Sequence, residues 1–307
     1  MKYSILSFFR MVLATLTAFI FSLSSMFNCG DNGDLIEENI ISAYDTLAAD
    51  YSLDIDEKNE IHDISDLLFG IFFEDINFAA DGGLYAEKVA NRSFEYTSLA
   101  AGDELYAYSA LNGAECSVIK NDNKNYLNEN NVNFLSLKNT SSGKAGIENR
   151  GFLDGMSVEE NEKYNVSFYA KAPVGYSGNI TVRLAENGEV ITEENVTMIK
   201  SSSLWHKYEV GLVSPVSAHQ GVTLQILIDK GEVWFDMISM FPENTYMGRE
   251  NGMRNDLGTM LGELQPKFLR FPGGCVIEGY DDDTAYDWKD SIGVDKNREP
   301  LLFNGTY

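Results

Sequence analysis

The sequence predicts a mixed α/β plus all-β fold: the start of a (β/α)8 TIM barrel interrupted by an inserted antiparallel β-sandwich. Three observations predict it. Ile64 to Asn77 (ISDLLFGIFFEDIN) is a dense apolar run that ends abruptly in polar residues, the pattern of a parallel strand buried on both faces. From about Asn91 to Pro242 the texture changes to short alternating segments separated by Asn, Gly and Ser turns, as in half-buried antiparallel strands. After them comes a helical segment, Asn255 to Leu264, which Pro266 ends. It leads at once into a short strand, Lys267 to Phe271, and the turn Pro272-Gly273-Gly274. Helix, strand and glycine turn in that order make the repeating unit of an α/β barrel.

The elements in chain order begin with an export signal. Lys2 and Arg10 precede the uncharged run Met11 to Leu23, which has the length of a signal-peptide core and is short for a membrane span. Residues 1–29 are therefore expected to be a signal peptide. Two outcomes stand: free secretion, and lipid attachment at Cys29. No membrane insertion beyond such a signal or anchor is expected. Residues 30–60 form an acidic lead-in with one strand near Tyr51 to Ile55. Residues 61–93 carry the first barrel strand and its loop, 94–243 the sandwich, and 244–307 the second helix–strand unit.

Composition narrows the partners. Among 307 residues, 47 Asp and Glu stand against 23 Lys and Arg, a net charge of −24. That field repels phosphate backbones, so nucleic acid is excluded as a partner. Cys29, Cys116 and Cys275 lack metal-ligand spacing, and His62, His206 and His219 are scattered, so neither a metal nor a cofactor is expected. In the sandwich, Tyr164 to Ala170, Ile180 to Ala185, Val222 to Ile228 and Val233 to Met240 read as strands. Its aromatic residues Trp205, Tyr208 and Trp234 are candidate platforms for stacking on sugar CH faces, with core packing as the alternative use of each.

Two blocks carry a family resemblance: Gly70 to Glu95 (GIFFEDINFAADGGLYAEKVANRSFE) and Phe268 to Gly293 (FLRFPGGCVIEGYDDDTAYDWKDSIG). Together, in this order and with a sandwich between them, they resemble the α-L-arabinofuranosidases of glycoside hydrolase family 51. The middle segment resembles the jelly-roll carbohydrate-binding modules found in such enzymes. The resemblance implies an enzyme that releases terminal arabinofuranosyl units from arabinose-containing plant polysaccharides with retention, using two Glu residues; the alternative reading is a non-catalytic carbohydrate-binding protein that uses the sandwich alone. In the family these sit at the ends of the fourth and seventh barrel strands. Only the first two strands are expected here, so both catalytic Glu residues are expected beyond Tyr307.

Retaining hydrolysis needs two carboxyl groups about 5–5.5 Å apart, one protonated and one ionised. Glu74 and Glu278 both follow barrel-type strands, but the family motif gives Glu74 a different role, as a carboxylate that binds arabinose hydroxyls. The resemblance makes Glu74, Asn77, Arg270 and Cys275 the substrate-binding candidates. Strand alternation turns Arg270 into the barrel, where a buried guanidinium needs a carboxylate partner. Asn91 and Arg92 read as anchors of the loop after Asp81-Gly82-Gly83. Phe78 departs from the family, where His often follows Glu-Asp-Ile-Asn.

Overall fold

The structure is a computed structural model that describes residues 63–96, 104–120, 122, 124–153, 155–199, 203–279 and 284–298. The expected signal peptide, Cys29 and the acidic lead-in lie outside the described residues. Alternation in the sequence becomes two antiparallel sheets. The first has strand order β10-β7-β12-β4-β3, built from β3 (Glu115–Ile119), β4 (Phe134–Asn139), β7 (Lys163–Lys171), β10 (His206–Val213) and β12 (Gly231–Pro242). The second has order β2-β5-β11-β8-β9, built from β2 (Tyr108–Leu111), β5 (Ala145–Asn149), β8 (Asn179–Glu186), β9 (Glu189–Thr197) and β11 (Ala218–Ile228), with β6 (Met156–Val158) also on β11.

One apolar core joins the sheets. Leu135, Phe168, Val233 and Phe235 come from the first and Ile147, Val182, Leu184 and Ile226 from the second, all buried in a single cluster. This is a sandwich-like arrangement in which inward residues of both sheets interdigitate. Local sequence sets the turns: β8 and β9 are joined by Asn187-Gly188, both at positive φ (50° and 87°), the geometry that a two-residue hairpin turn requires. In β12 the register shifts between Asp236 and Ser239, with Met237 at φ 48°. This bulge re-aims the strand, so that core contacts pass from Phe235 to Ile238 and Met240.

The two sheets lie in the chain between two short strands that pair with each other. β1 (Ile71–Phe72) is parallel to β13 (Leu269–Arg270), with Ile71 opposite Leu269 and Phe72 opposite Arg270. Helix α1 (Asn255–Glu263) precedes β13 and the short α2 (Cys275–Glu278) follows it. The expectation of a strand buried on both faces is corrected here: Leu67, Leu68, Phe69 and Phe72 are more than half exposed, and the strand has two residues. Among the described residues only β13 pairs with it, so apolar side chains selected for burial stay in solvent.

The segment from Lys88 to Arg92 is hydrogen-bonded to β12: Lys88 N donates to Met240 O (2.9 Å) and Ile238 N donates to Arg92 O (2.8 Å). Glu95 is buried nearby and accepts from Asn133 N (2.8 Å) and Asn133 Nδ2 (2.6 Å). Burial pushes its carboxyl up to about 7, against the pull of the Asn133 and Val132 amides. A carboxyl raised in the folded state favours folding while protonated. Its contribution is complete below the unfolded value near 4.5 and is lost as pH rises through about 7. The melting temperature is expected to fall between pH 5 and pH 7.5, and Glu95→Gln is expected to flatten that slope. Equal slopes in the two proteins would remove Glu95 as the cause.

Candidate functional site

The two motif blocks meet at the glycine turn. Parallel pairing brings the ends of β1 and β13 side by side, fixed by Ile71 N donating to Phe268 O (3.0 Å) and Phe73 N donating to Arg270 O (2.9 Å). Glu74 follows β1, and Gly273-Gly274 follows β13. The Glu74 side chain lies directly on this turn: a Cβ on Gly273 would fall 2.5 Å from Glu74 Cγ, and one on Gly274 would fall 3.4 Å from Glu74 Oε2. Gly273 also has φ 144°. Glycine is therefore required twice over at 273, by its backbone conformation and by the carboxylate stem against it.

The other candidates sit around this contact. Cys275 begins α2 as a free, exposed thiol one residue after Gly274. Asn77 is exposed at φ 55° in a turn where Asp75 Oδ1 accepts from Ala80 N (3.0 Å). Phe78 packs its ring against Phe152 (5.4 Å) and Tyr106 (6.4 Å), an apolar contact with the segment that carries the two sheets. Arg270 is expected to face a barrel interior that the described residues do not enclose. Its side chain is exposed, and its guanidinium lies over the Phe72 ring at 4.7 Å. The pleat that was expected to bury it has no covering layer among the described residues, and a cation–π contact with the adjacent strand takes its place.

The sandwich aromatics divide. Tyr208 is not a surface platform, because it is buried in the core, stacks on Phe168 (5.8 Å) and accepts from Ile199 N at its hydroxyl. Alternation along β10 puts it on the inward face with Leu212. Trp205 and Trp234 are half-buried and pack against the fully buried Phe134. Their indole N–H groups donate to Asn125 O and Glu232 Oε1, both at 2.7 Å, and Lys171 Nζ lies over both rings at 6.0 and 5.0 Å. These contacts make the pair walls of an aromatic cluster topped by a cation.

Asn91 and Arg92 do anchor their loop. Asn91 Nδ2 donates to Glu104 O (3.0 Å) and its Oδ1 accepts from Tyr96 N (3.4 Å). Arg92 is buried between Glu87 (3.6 Å) and Asp295 (3.8 Å). Desolvation opposes its charge, but Asp81 and Glu87 outweigh that and hold the guanidinium above its ordinary value. Burial likewise pushes the Glu87 carboxyl up to about 7, while Arg92, Met240 N, the Ser239 hydroxyl and Val89 N favour its ionised form. Sequence reasoning missed Glu87 and Asp295 as Arg92's partners, since 203 residues of chain separate Arg92 from Asp295 and no local pattern couples them. Among the described residues, no group of three or more His, Cys, Asp or Glu side chains could hold a metal ion, and no helix is long and apolar enough to cross a membrane.

Comparison with known proteins shows what the chain is similar to. A family model described as the α-L-arabinofuranosidase 1 domain matches residues 260–304. An extracellular exo-α-L-arabinofuranosidase of Streptomyces chartreusis is 34% identical over 263 residues, covering 81% of this chain and 30% of the relative. Arabidopsis thaliana α-L-arabinofuranosidase 2 is 35% identical over 253 residues, covering 78% of this chain and 36% of that protein. An arabinose-bound α-L-arabinofuranosidase of glycoside hydrolase family 51 superposes with a TM-score of 0.74 at 30% identity, over 81% of this chain and 41% of that structure. The relatives described are glycoside hydrolases. Among these, the chain is similar over most of its own length to α-L-arabinofuranosidases, one of them of family 51. The chain spans 30% and 36% of the length of the two curated relatives described.

Proposed function

We propose that this chain is the front portion of a secreted enzyme that releases L-arabinose from the non-reducing ends of arabinose-containing hemicellulose or pectin, with retention of configuration. One observation carries the reading: Glu74 and the Gly273-Gly274 turn, 199 residues apart for Glu74 and Gly273, are packed together at the ends of two parallel strands, in a chain related to arabinofuranosidases. In this reading β1 and β13 are the first two strands of a TIM barrel, and the jelly-roll-like sandwich is inserted between them. Strand ends are where barrel enzymes hold substrate. The Glu74 carboxylate accepts hydrogen bonds from sugar hydroxyls, Asn77, Arg270 and Cys275 contribute to the same rim, and secretion follows the export signal.

The catalytic pair in this reading is supplied by sequence following Tyr307. A carboxylate pressed against a glycine turn can orient a sugar, whereas cleavage needs a proton donor and a nucleophile on opposite sides of the scissile bond. The 307-residue chain is expected to leave an aryl α-L-arabinofuranoside intact. A longer chain, continued through a strand-terminal Asn-Glu pair and a later strand-terminal Glu, is expected to hydrolyse it. Turnover by the 307-residue form would refute this division of labour.

A further inference from the structure

The segment after α2 is held at its far end by the inserted sheets. Over residues 284–298, Tyr286 meets Phe271 edge-on (6.1 Å) and the chain forms a 3-10 turn at Asp295–Asn297. Three asparagines in the loop before β4 grip that turn. Asn128 Nδ2 and Asn131 Nδ2 both donate to Lys296 O (2.5 and 2.6 Å), and Asn130 Nδ2 donates to Asn297 O (2.8 Å). Two further contacts converge there, Arg92 with Asp295 (3.8 Å) and Lys296 Nζ over the Tyr169 ring of β7 (5.6 Å).

We propose that the Asn128–Asn131 loop is a positioning device, through which the sandwich fixes the 284–298 segment and with it the packing of Tyr286 on Phe271, beside the glycine turn. The bonds run from side-chain amides of the insert to backbone carbonyls of the segment, so they hold its path whatever side chains it carries. The loop is built for this. Asn128 Oδ1 accepts from Asn130 N (2.9 Å), Asn131 N (3.0 Å) and Asn131 Nδ2 (3.2 Å), which leaves the Asn128 amide nitrogen aimed outward at Lys296. Asn131 is fully buried, so its amide is fixed in place. A segment this long between anchors gains order only if its end is tied, because closing it costs chain entropy. On this account the insert is a structural support of the 284–298 segment and not a tethered accessory. That the neighbouring glycine turn belongs to a sugar site rests on the function proposed above.

The test uses amide hydrogen exchange on the 307-residue chain and needs no catalysis, so an inactive chain leaves it intact. Asn128→Asp keeps the Oδ1 that caps the loop but replaces the donor to Lys296 O with a second acceptor. Exchange at Asn297 and Arg298, whose amides bond to Val294 O and Asp295 O, is expected to rise by about tenfold, while Phe168 and Phe235 amides keep their rates. Asn130→Ala, which removes a single bond at the loop's edge, is expected to raise it less. Unchanged exchange at 297 and 298 in both variants would overturn the proposal. So would an equal rise in β7 and β12, which would make the asparagines general stabilisers of the sheets.

Discussion

Arg92→Ala is expected to lower the free energy of unfolding by about 3–5 kcal/mol, the usual cost of removing one partner from a buried ion pair. Arg92 is buried with Glu87 at 3.6 Å and Asp295 at 3.8 Å, and Asp81 adds to the field that holds its charge. Removing the cation leaves Glu87 in a buried site where burial already works against its ionised form. Glu87 would then take up a proton at a higher pH than before, so the loss is expected to be larger at pH 8 than at pH 5. Urea unfolding at the two pH values measures it. Replacing both partners, as Glu87→Gln with Arg92→Met, removes the uncompensated charge and is expected to recover part of the loss. A cost below about 1 kcal/mol, independent of pH, would show that the charge is not what holds this junction.

Gly273→Ala is expected to have the next largest effect, and a local one. The new Cβ meets two penalties: a φ of 144°, worth about 1–3 kcal/mol of strain, and a position 2.5 Å from Glu74 Cγ that forces the carboxylate or the turn to move. The strand pair adjoining the turn has two residues on each side, so it has little else to hold it. Amide exchange at Ile71 and Phe73, which bond across to Phe268 O and Arg270 O, is expected to rise sharply. Gly188→Ala supplies the control, because Gly188 has φ 87° with nothing within 4 Å of a new Cβ, so that variant carries backbone strain without a collision. If the two substitutions perturb their own surroundings equally, the packing of Glu74 on Gly273 contributes nothing measurable.

Much of the fold was legible because burial in a sheet repeats every two residues. The alternation over Tyr164 to Ala170 became β7, and that over Val233 to Met240 became the middle of β12, since each inward residue had a facing sheet to enter. Tyr208 and Arg270 were harder to read from the sequence, for opposite reasons. Tyr208 follows the alternation inward, but a residue type that suits a surface as well as a core hides that choice. Arg270 was aimed at a layer that no described residue provides, so its charge turned to solvent and the Phe72 face. At the site, Glu74, Gly273 and Cys275 could be named from their motifs, while the geometry that makes a neighbourhood of them could not.

By itself, the sequence determined the strand periodicities, the helix before β13 and the family that the two motif blocks resemble. These are properties of neighbouring residues, and local sterics and apolar spacing express them directly. The tertiary structure alone decided that Glu87, Arg92 and Asp295 share one buried charge cluster, that three asparagines hold the Asp295–Asn297 turn, and that Glu74 lies on Gly273. Each of those contacts joins segments far apart in the chain, and only the packed sheets determine which distant polar groups must satisfy one another out of water.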